Sequence, residues 1–172
     1  MIKLLLGCVG WVTIAHCSGF SSSAGGGWVW SLSVFFIVVV MEYTADNWSY
    51  ERWPNFRPAE LACSETGGCD MSPQFMDRVQ KLRDELGPLR ITSGYRSPQH
   101  PVELKKDVPG AHTYGRAVDV ALAGAAAYEL LALAAKLGFT GIGIQQRGDG
   151  RFVHLDDLGA EFHAPRPWVW SY

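Results

Sequence analysis

The sequence predicts an α+β fold, with a small antiparallel sheet of about four strands flanked by two main helices. Apolar residues at helical spacing, between helix start and stop signals, predict the helices. Short alternating runs between turn residues predict the strands. The length supports one such domain, because 172 residues leave little for a second.

The first helix is predicted to begin at Ser72-Pro73, because serine caps free backbone N–H groups and proline suits the first helical position. Gly87 and Pro88 end it. Between these signals, apolar residues recur at helical spacing, at Phe75, Val79, Leu82 and Leu86. One face of this helix should therefore be buried.

The remaining elements follow in order along the chain. Residues 89–93 predict a short strand, and residues 116–122 predict a strand with one small, polar face and one apolar face. Residues 125–137 are rich in Ala and Leu and predict the second helix, which a glycine ends. Residues 139–145 and 151–155 then predict a β-hairpin across a loop that contains two glycines.

Composition favours a folded domain and argues against one class of partner. Hydrophobic residues make up 48% of the chain and charged residues 19%, which is enough for a packed core. The formal net charge is −2, whereas a nucleic-acid binder normally shows a basic face. We therefore expect no nucleic-acid partner.

The first forty residues differ from the rest, since Lys3 is the only charged residue among them. Residues 1–17 are typical of a short signal sequence. The uncharged stretch of about 17 residues that ends at Met41 is close to the lower limit for a membrane-spanning helix. A third interpretation is that residues 1–40 do not belong to the working protein and Met41 is the initiator. The predicted organisation is a leader at 1–40 and a folded domain at 45–172. The cellular location stays open: the protein is exported or membrane-anchored if the leader is real, and cytoplasmic otherwise.

Cys63 and Cys69 bracket a turn-forming stretch in the folded part. Their spacing is compatible with a disulfide and equally with two reduced thiols in a cytosolic protein. A cysteine pair is also half of a structural zinc site, but no second half lies nearby in the sequence. The state of this pair stays open at this stage.

Three residues suggest a metal site, namely His112, Asp119 and His154. His112 lies in a turn that leads into the strand carrying Asp119, and alternation puts His154 on the same strand face as Asp156. A carboxylate in mid-strand among Ala and Val is costly to bury without a partner, and a metal ion is one such partner. Catalytic zinc takes three His or carboxylate ligands and leaves one position for water. Spacing alone does not distinguish a zinc ligand from a histidine that forms hydrogen bonds in the core.

Three motifs follow one another along the chain: Ile91 to Pro98 (Ile-Thr-Ser-Gly-Tyr-Arg-Ser-Pro), His112 with Gly115 and Asp119, and His154-Leu155-Asp156. Together they resemble the zinc D-alanyl-D-alanine carboxypeptidase and LD-endopeptidase family. Its superfamily also includes vancomycin-resistance dipeptidases, L-alanyl-D-glutamate endolysins and the hedgehog signalling domain. The short phage and bacterial members are the most similar, because they share the segment at 56–63 and the final Trp-Ser-Tyr. The resemblance implies a fold like that of the hedgehog domain and the DD-peptidases.

The resemblance also implies a role for each matching residue. His112, Asp119 and His154 would bind Zn²⁺, and Arg96 would bind a carbonyl or carboxylate of the substrate, which suits its planar guanidinium. The implied activity is hydrolysis of an amide bond in peptidoglycan stem peptides, as a D-Ala-D-Ala carboxypeptidase or an L-Ala-D-Glu type endopeptidase. The implied partner is a peptidoglycan peptide, and we expect a monomer.

The general base departs from the pattern of the family. Many relatives carry an acid three residues before the last histidine ligand, where this chain has Arg151. The remaining candidates are Asp156, on the strand face of His154, and Asp149, in the predicted hairpin loop. We predict two catalytic residues: Asp156 as the acid–base group and Arg96 as the group that anchors the substrate. The alternative for Asp156 is that it only orients a metal ligand. The missing acid also supports an alternative function, a non-catalytic zinc-binding module that binds the cell wall.

The other histidines and the C-terminal tryptophans are expected to be structural. His100 lies close to the arginine motif but precedes a proline, and His163 lies in a proline-rich tail. Trp168 and Trp170 are expected to close the core rather than to form a platform for sugar rings.

Overall fold

The structure, a computed structural model, describes residues 44–162 and 165–172. This part of the chain contains three α-helices: α1 (Pro58–Leu61), α2 (Pro73–Leu86) and α3 (Gly124–Lys136). It contains five strands: β1 (Ile91–Ser93), β2 (Ala117–Val120), β3 (Gly141–Gln145), β4 (Phe152–Asp156) and β5 (Trp168–Ser171). It also contains three short 3₁₀ helices: Ala45–Asn47 before α1, Glu103–Lys105 between β1 and β2, and Ala160–Phe162 between β4 and β5.

The five strands form one sheet in the order β1-β2-β4-β3-β5. Its neighbours run antiparallel, except that β5 runs parallel to β3. The predicted α+β class is confirmed, and the four predicted strands correspond to β1 to β4. The fifth strand was not predicted, and it makes the sheet mixed. Its residues, Trp-Val-Trp-Ser, do not alternate between apolar and polar, so the sequence lacks the usual signal of a half-buried strand.

Helix α2 follows the signals in the sequence closely. Pro73 is its first residue, and Gly87 ends it with a positive φ of 79° and an N–H that donates to the Arg83 carbonyl. The Ser72 hydroxyl contacts the Gln74 side chain and does not cap the helix. The large apolar side chains of its buried face are Phe75, Met76, Val79 and Leu82. Burial contributes roughly 1.5–3 kcal/mol for each large apolar side chain, which attaches the helix to the sheet.

The core lies between α2, α3 and one face of the sheet. Helix α3 contributes Ala127, Leu130 and Ala134, which follow one another at intervals of about one turn, and each central strand contributes alternate residues. The fully buried members from these elements include Phe75, Val118, Val120, Leu130, Val153 and Leu155. This arrangement uses one face of every central strand, so the opposite face is left for other side chains.

The predictions for the leader at 1–40 lie outside the described residues. Among the residues that are described, no helix combines the length and the apolar character that crossing a membrane requires. Cys63 and Cys69 both lie within the described part, where they are buried and not joined to each other.

Candidate metal centre

The register of the sheet brings two of the predicted ligands together. Asp119 in β2 lies directly opposite His154 in β4, and Gly143 in β3 lies on the other side of His154. These residues share the sheet face that does not pack on α2 and α3. Their neighbours Val118, Val120, Val153 and Leu155 point into the core. His112 joins this face from the loop before β2.

The three predicted ligands place one atom each in a small triangle. Asp119 Oδ1 lies 2.8 Å from His154 Nδ1 and 3.4 Å from His112 Nε2, and the two ring nitrogens are 3.2 Å apart. All three residues are buried. Their metal-binding atoms lie within 4.8 Å of one another, as a shared ion requires.

The outer partners of the two histidines determine which ring nitrogen carries a proton. His112 Nδ1 lies 2.6 Å from the Gly94 carbonyl oxygen, which only accepts, so Nδ1 is the donor. His154 Nε2 lies 3.2 Å from Asp156 Oδ2, and the same reasoning makes Nε2 the donor. In the neutral rings, His112 Nε2 and His154 Nδ1 therefore both present lone pairs to the triangle.

This donor set fits a zinc ion. Three lone pairs, one of them on a carboxylate, face one another at separations of 2.8–3.4 Å, so either a proton on His154 Nδ1 or a metal ion must lie between them. Tetrahedral zinc with bonds of about 2.0–2.1 Å holds its ligand atoms about 3.3 Å apart, close to the edges of this triangle. Two histidines and one carboxylate are also a common ligand set for catalytic zinc.

The electrostatic surroundings of the two histidines differ. Burial lowers the pKa of His112 below its usual value despite the nearby Asp119, so this ring is neutral at pH 7. Burial alone would raise the pKa of Asp119, but its contacts with His112 and His154 place it far below its usual range. Burial lowers the pKa of His154, whereas Asp119 and Asp156, one at each ring nitrogen, raise it by more. A metal ion bound at Nδ1 takes the place of any proton on that nitrogen, because a ligand nitrogen must be deprotonated.

Arg96 holds the second oxygen of Asp119. Its Nη2 donates to Asp119 Oδ2 at 2.8 Å, and its Nε donates to Ser93 Oγ at 3.0 Å. Nη1 lies 3.9 Å from Glu103 Oε1, beyond hydrogen-bond distance. The guanidinium thus lies at the edge of the triangle, and its contacts with Asp119 and Ser93 use two of its five N–H donors.

Asp156 lies behind His154, on the ring nitrogen that faces away from the triangle. Its side chain accepts from His154 Nε2, from the Leu158 backbone N–H and from two nitrogens of Arg166. Burial raises the pKa of Asp156, but the contacts with His154 and Arg166 lower it to about 2. A weakly basic carboxylate on the far side of a ligand suits the orienting alternative better than the general base.

A comparison with protein families identifies the group to which this site belongs. The family model described as peptidase M15 matches residues 54–156, which include the three triangle residues, Arg96 and Asp156. The chain belongs to the peptidase M15 family. M15 peptidases are zinc-dependent metallopeptidases, so the resemblance and the general activity inferred from the sequence agree with this finding. A search of curated proteins found no significant match.

The other residues considered for the M15 site lie away from the triangle. Asp149 is exposed in the loop between β3 and β4, where it borders a surface groove with Ala121 and Arg151. Arg151 donates to the Gly148 carbonyl of the same loop. His100 accepts from the Val102 N–H and contacts Ser64 rather than the triangle. His163 lies outside the described residues.

Trp168 and Trp170 do not close the core of this M15 domain as expected. Trp168 is 54% exposed, because it lies on the edge strand β5. Trp170 lies on the site face, with its ring centroid 5.2 Å from that of His154. Both tryptophans are therefore outside the core between the helices and the sheet.

Two glycines of β3, which were not among the predicted site residues, make room for the site. A methyl group at Gly143 would lie 2.7 Å from the Trp170 ring, and one at Gly141 would overlap the Asp156 carboxylate. Gly141 lies opposite Asp156 and Gly143 opposite His154. The alternation Gly-Ile-Gly-Ile in β3 was a visible signal for this, because it places glycine on the face that carries His154.

Proposed function

We propose that this M15 protein is a zinc metallopeptidase that hydrolyses an amide bond in peptidoglycan stem peptides. The bond is either the terminal D-Ala-D-Ala bond, cut by a carboxypeptidase, or the L-Ala-D-Glu bond, cut by an endopeptidase. The observation that carries the proposal is the triangle of buried lone pairs from His112, Asp119 and His154 in a chain of a peptidase family. The peptidoglycan substrate rests on the resemblance of the three sequence motifs.

In this proposal His112, Asp119 and His154 hold the zinc ion. When bound, zinc lowers the pKa of water to about 7 and polarises a carbonyl group. The three residues come from a single chain, so a second copy is not needed to complete the ligand set, and we propose that the protein acts as a monomer. The burial of the three side chains keeps their charges and lone pairs in a medium of low dielectric constant, where electrostatic effects are strong.

Arg96 is proposed to bind the carboxylate or a carbonyl of the substrate. Its side chain is 19% exposed, and its contacts to Asp119 and Ser93 leave further N–H donors for a ligand. The same contacts fix the plane of the guanidinium beside a metal ligand. A peptide bound to Arg96 would therefore be placed close to the triangle, as an enzyme that cuts near a chain end requires.

Asp156 is proposed to orient His154 rather than to accept the proton of water. Its two oxygens already accept from His154, from Leu158 and from both prongs of Arg166. A general base needs a free lone pair within reach of the proton that it takes. The Asp156→Asn experiment below separates the two roles.

A non-catalytic zinc-binding module that binds the cell wall is the second candidate function. Two observations favour it: Arg151 occupies the position at which many relatives carry an acid, and Asp156 is engaged by Arg166. Such a module would retain the metal and the wall peptide but would lack the group that moves the proton.

Digestion of purified peptidoglycan by the full-length protein, followed by mass spectrometry of the muropeptides, tests the proposal. A carboxypeptidase shortens stem peptides by one terminal alanine, whereas an endopeptidase separates L-Ala from the rest of the peptide. The new products should disappear on chelation and return when zinc is added. Zinc-dependent binding to sacculi without any new amino group would instead establish the second candidate.

A further inference from the structure

The segment at 165–172 lies beyond the residues that match the M15 model, yet it contacts the candidate metal centre. Arg166 forms a two-pronged contact with Asp156: Nε donates to Oδ1 at 2.9 Å and Nη2 donates to Oδ2 at 2.7 Å. Asp156 is completely buried, and the Arg166 side chain is only 12% exposed. This pair therefore belongs to the interior of the site.

The contact determines the orientation of the Asp156 carboxylate. Two parallel N–H donors hold the carboxylate in the plane of the guanidinium, and the Leu158 N–H fixes the same group from a third direction at 3.2 Å. Oδ2 is then presented to His154 Nε2, 3.2 Å away. Because that contact selects the ring tautomer, the lone pair of Nδ1 is directed to Asp119 and His112.

Trp170 provides a second contact from this segment to the same ring. Strand β5 runs parallel to β3 and places Trp170 opposite Gly143, the neighbour of His154. The Trp170 ring lies against the His154 ring, with 5.2 Å between centroids, and the Arg166 guanidinium lies 5.4 Å from the Trp170 centroid. Arg166 thus contacts both groups that hold His154 in place.

We propose that Arg166 is a positioning residue of the metal centre: acting through Asp156, it fixes the ring of His154 and so sets the affinity for zinc. This inference rests on the proposed metal site but is independent of which peptide bond is cut. Groups that support a metal ligand typically change metal affinity or activity by about 10–100-fold when they are removed. Arg166 should fall in this range although it contacts none of the three ligand atoms in the triangle.

The test is the affinity of the full-length protein for zinc, measured by competition with a chromophoric chelator, with no substrate present. Arg166→Gln should lower the affinity by about 10–100-fold, as Asp156→Asn should. Arg166→Lys keeps the positive charge without the two-pronged contact and should lose less. Near-UV circular dichroism of each variant reports whether it is folded, and if Arg166→Gln does not fold, the loss in Arg166→Lys is the deciding measurement.

Arg78→Gln is the matched control. Arg78 pairs with Asp157, the buried acid next to Asp156 in the chain, which Arg116 also holds. Removing Arg78 therefore disturbs an arginine–carboxylate pair of the same kind without contact to His154. Its zinc affinity should equal that of the unaltered protein.

A double-mutant cycle separates action through Asp156 from a general effect on stability. If Arg166 acts through Asp156, adding Arg166→Gln to Asp156→Asn should cause little further loss of zinc affinity. Losses that multiply, or folded Arg166 variants with unaltered affinity, would overturn the inference while the metal site stands. An unaltered protein that binds no zinc would instead remove the proposed function on which the inference rests.

Discussion

The two histidines of the candidate metal centre have the same task, but they are held by different parts of the protein. His112 lies in a loop, and a backbone carbonyl, that of Gly94, fixes its ring. His154 lies in strand β4, and a side chain, Asp156, fixes its ring with the help of Arg166. The first support is a main-chain atom, so it does not depend on a side-chain functional group, although residue 94 must be glycine to fit against Leu61. The second needs two charged residues, both largely buried, so one substitution removes it.

The largest effects should come from the ligands themselves, for which the kind of support does not matter. His112→Ala, Asp119→Ala and His154→Ala should each largely empty the site, because a catalytic zinc has only three protein ligands. Elemental analysis of the purified proteins measures the result. The unaltered protein should hold about one zinc per chain. Full zinc content in all three variants would show that the ligands lie elsewhere.

Asp156→Asn tests the side-chain support of His154 and should have the next largest effect. If Asp156 orients the ring, zinc affinity falls by about 10–100-fold and excess zinc partly restores activity. If Asp156 is the general base, the variant keeps its zinc and loses about 10²–10⁴-fold in rate, and added zinc does not restore it. We expect the first result. Zinc titrations and turnover measured on the same preparation distinguish the two.

Gly94→Ala tests the backbone support of His112 and should have a smaller effect on zinc. The added methyl group would lie 2.5 Å from the Leu61 carbonyl oxygen, so the loop that carries the Gly94 carbonyl must shift. We expect a loss of about 1–3 kcal/mol of stability from this overlap, with a weaker loss of zinc affinity than in Asp156→Asn.

Gly150→Ala is the control for Gly94→Ala, because nothing lies within 4 Å of a methyl group at that position. Thermal unfolding and chelator competition give both quantities for the pair. A Gly94→Ala protein as stable as the Gly150→Ala protein would contradict the role given to the close approach at Leu61.

The smallest effect is expected from Asp149→Asn. Asp149 is exposed in the loop between β3 and β4, and such substitutions usually change stability by less than about 0.5 kcal/mol. Zinc content and turnover should both stay at the level of the unaltered protein. Collapse of turnover with normal zinc would move the general base to this loop.

Much of the fold was predictable, because its signals are local. The start and end of α2 are marked by Pro73 and Gly87, and its buried face follows from helical spacing. The alternation in β2 and β4 placed Asp119 and His154 on strand faces, and the three motifs added His112 to them. Strand β5 was missed because its pairing with β3 is a contact between distant parts of the chain. Its own side chains are mostly exposed and give no local signal.

The function of Asp156 could not be chosen from the sequence, for a related reason. Its position two residues after His154 places it on the right face for a base and for an orienting group alike. The choice depends on Arg166, ten residues further along the chain, and only the folded structure shows that this arginine returns to Asp156. The pattern of glycines in β3 was visible, but its meaning required the position of Trp170.

The two glycines of β3 have a consequence for mutational scanning. Any side chain at Gly141 overlaps the Asp156 carboxylate, and any side chain at Gly143 displaces Trp170 from the His154 ring. In a library of all single substitutions selected for activity, both positions should be as intolerant as the ligands, although neither offers a functional group. The space above β3 is shared between residues 143 and 170. A library that varies both positions should therefore yield active proteins in which a smaller residue replaces Trp170 and a larger one replaces Gly143.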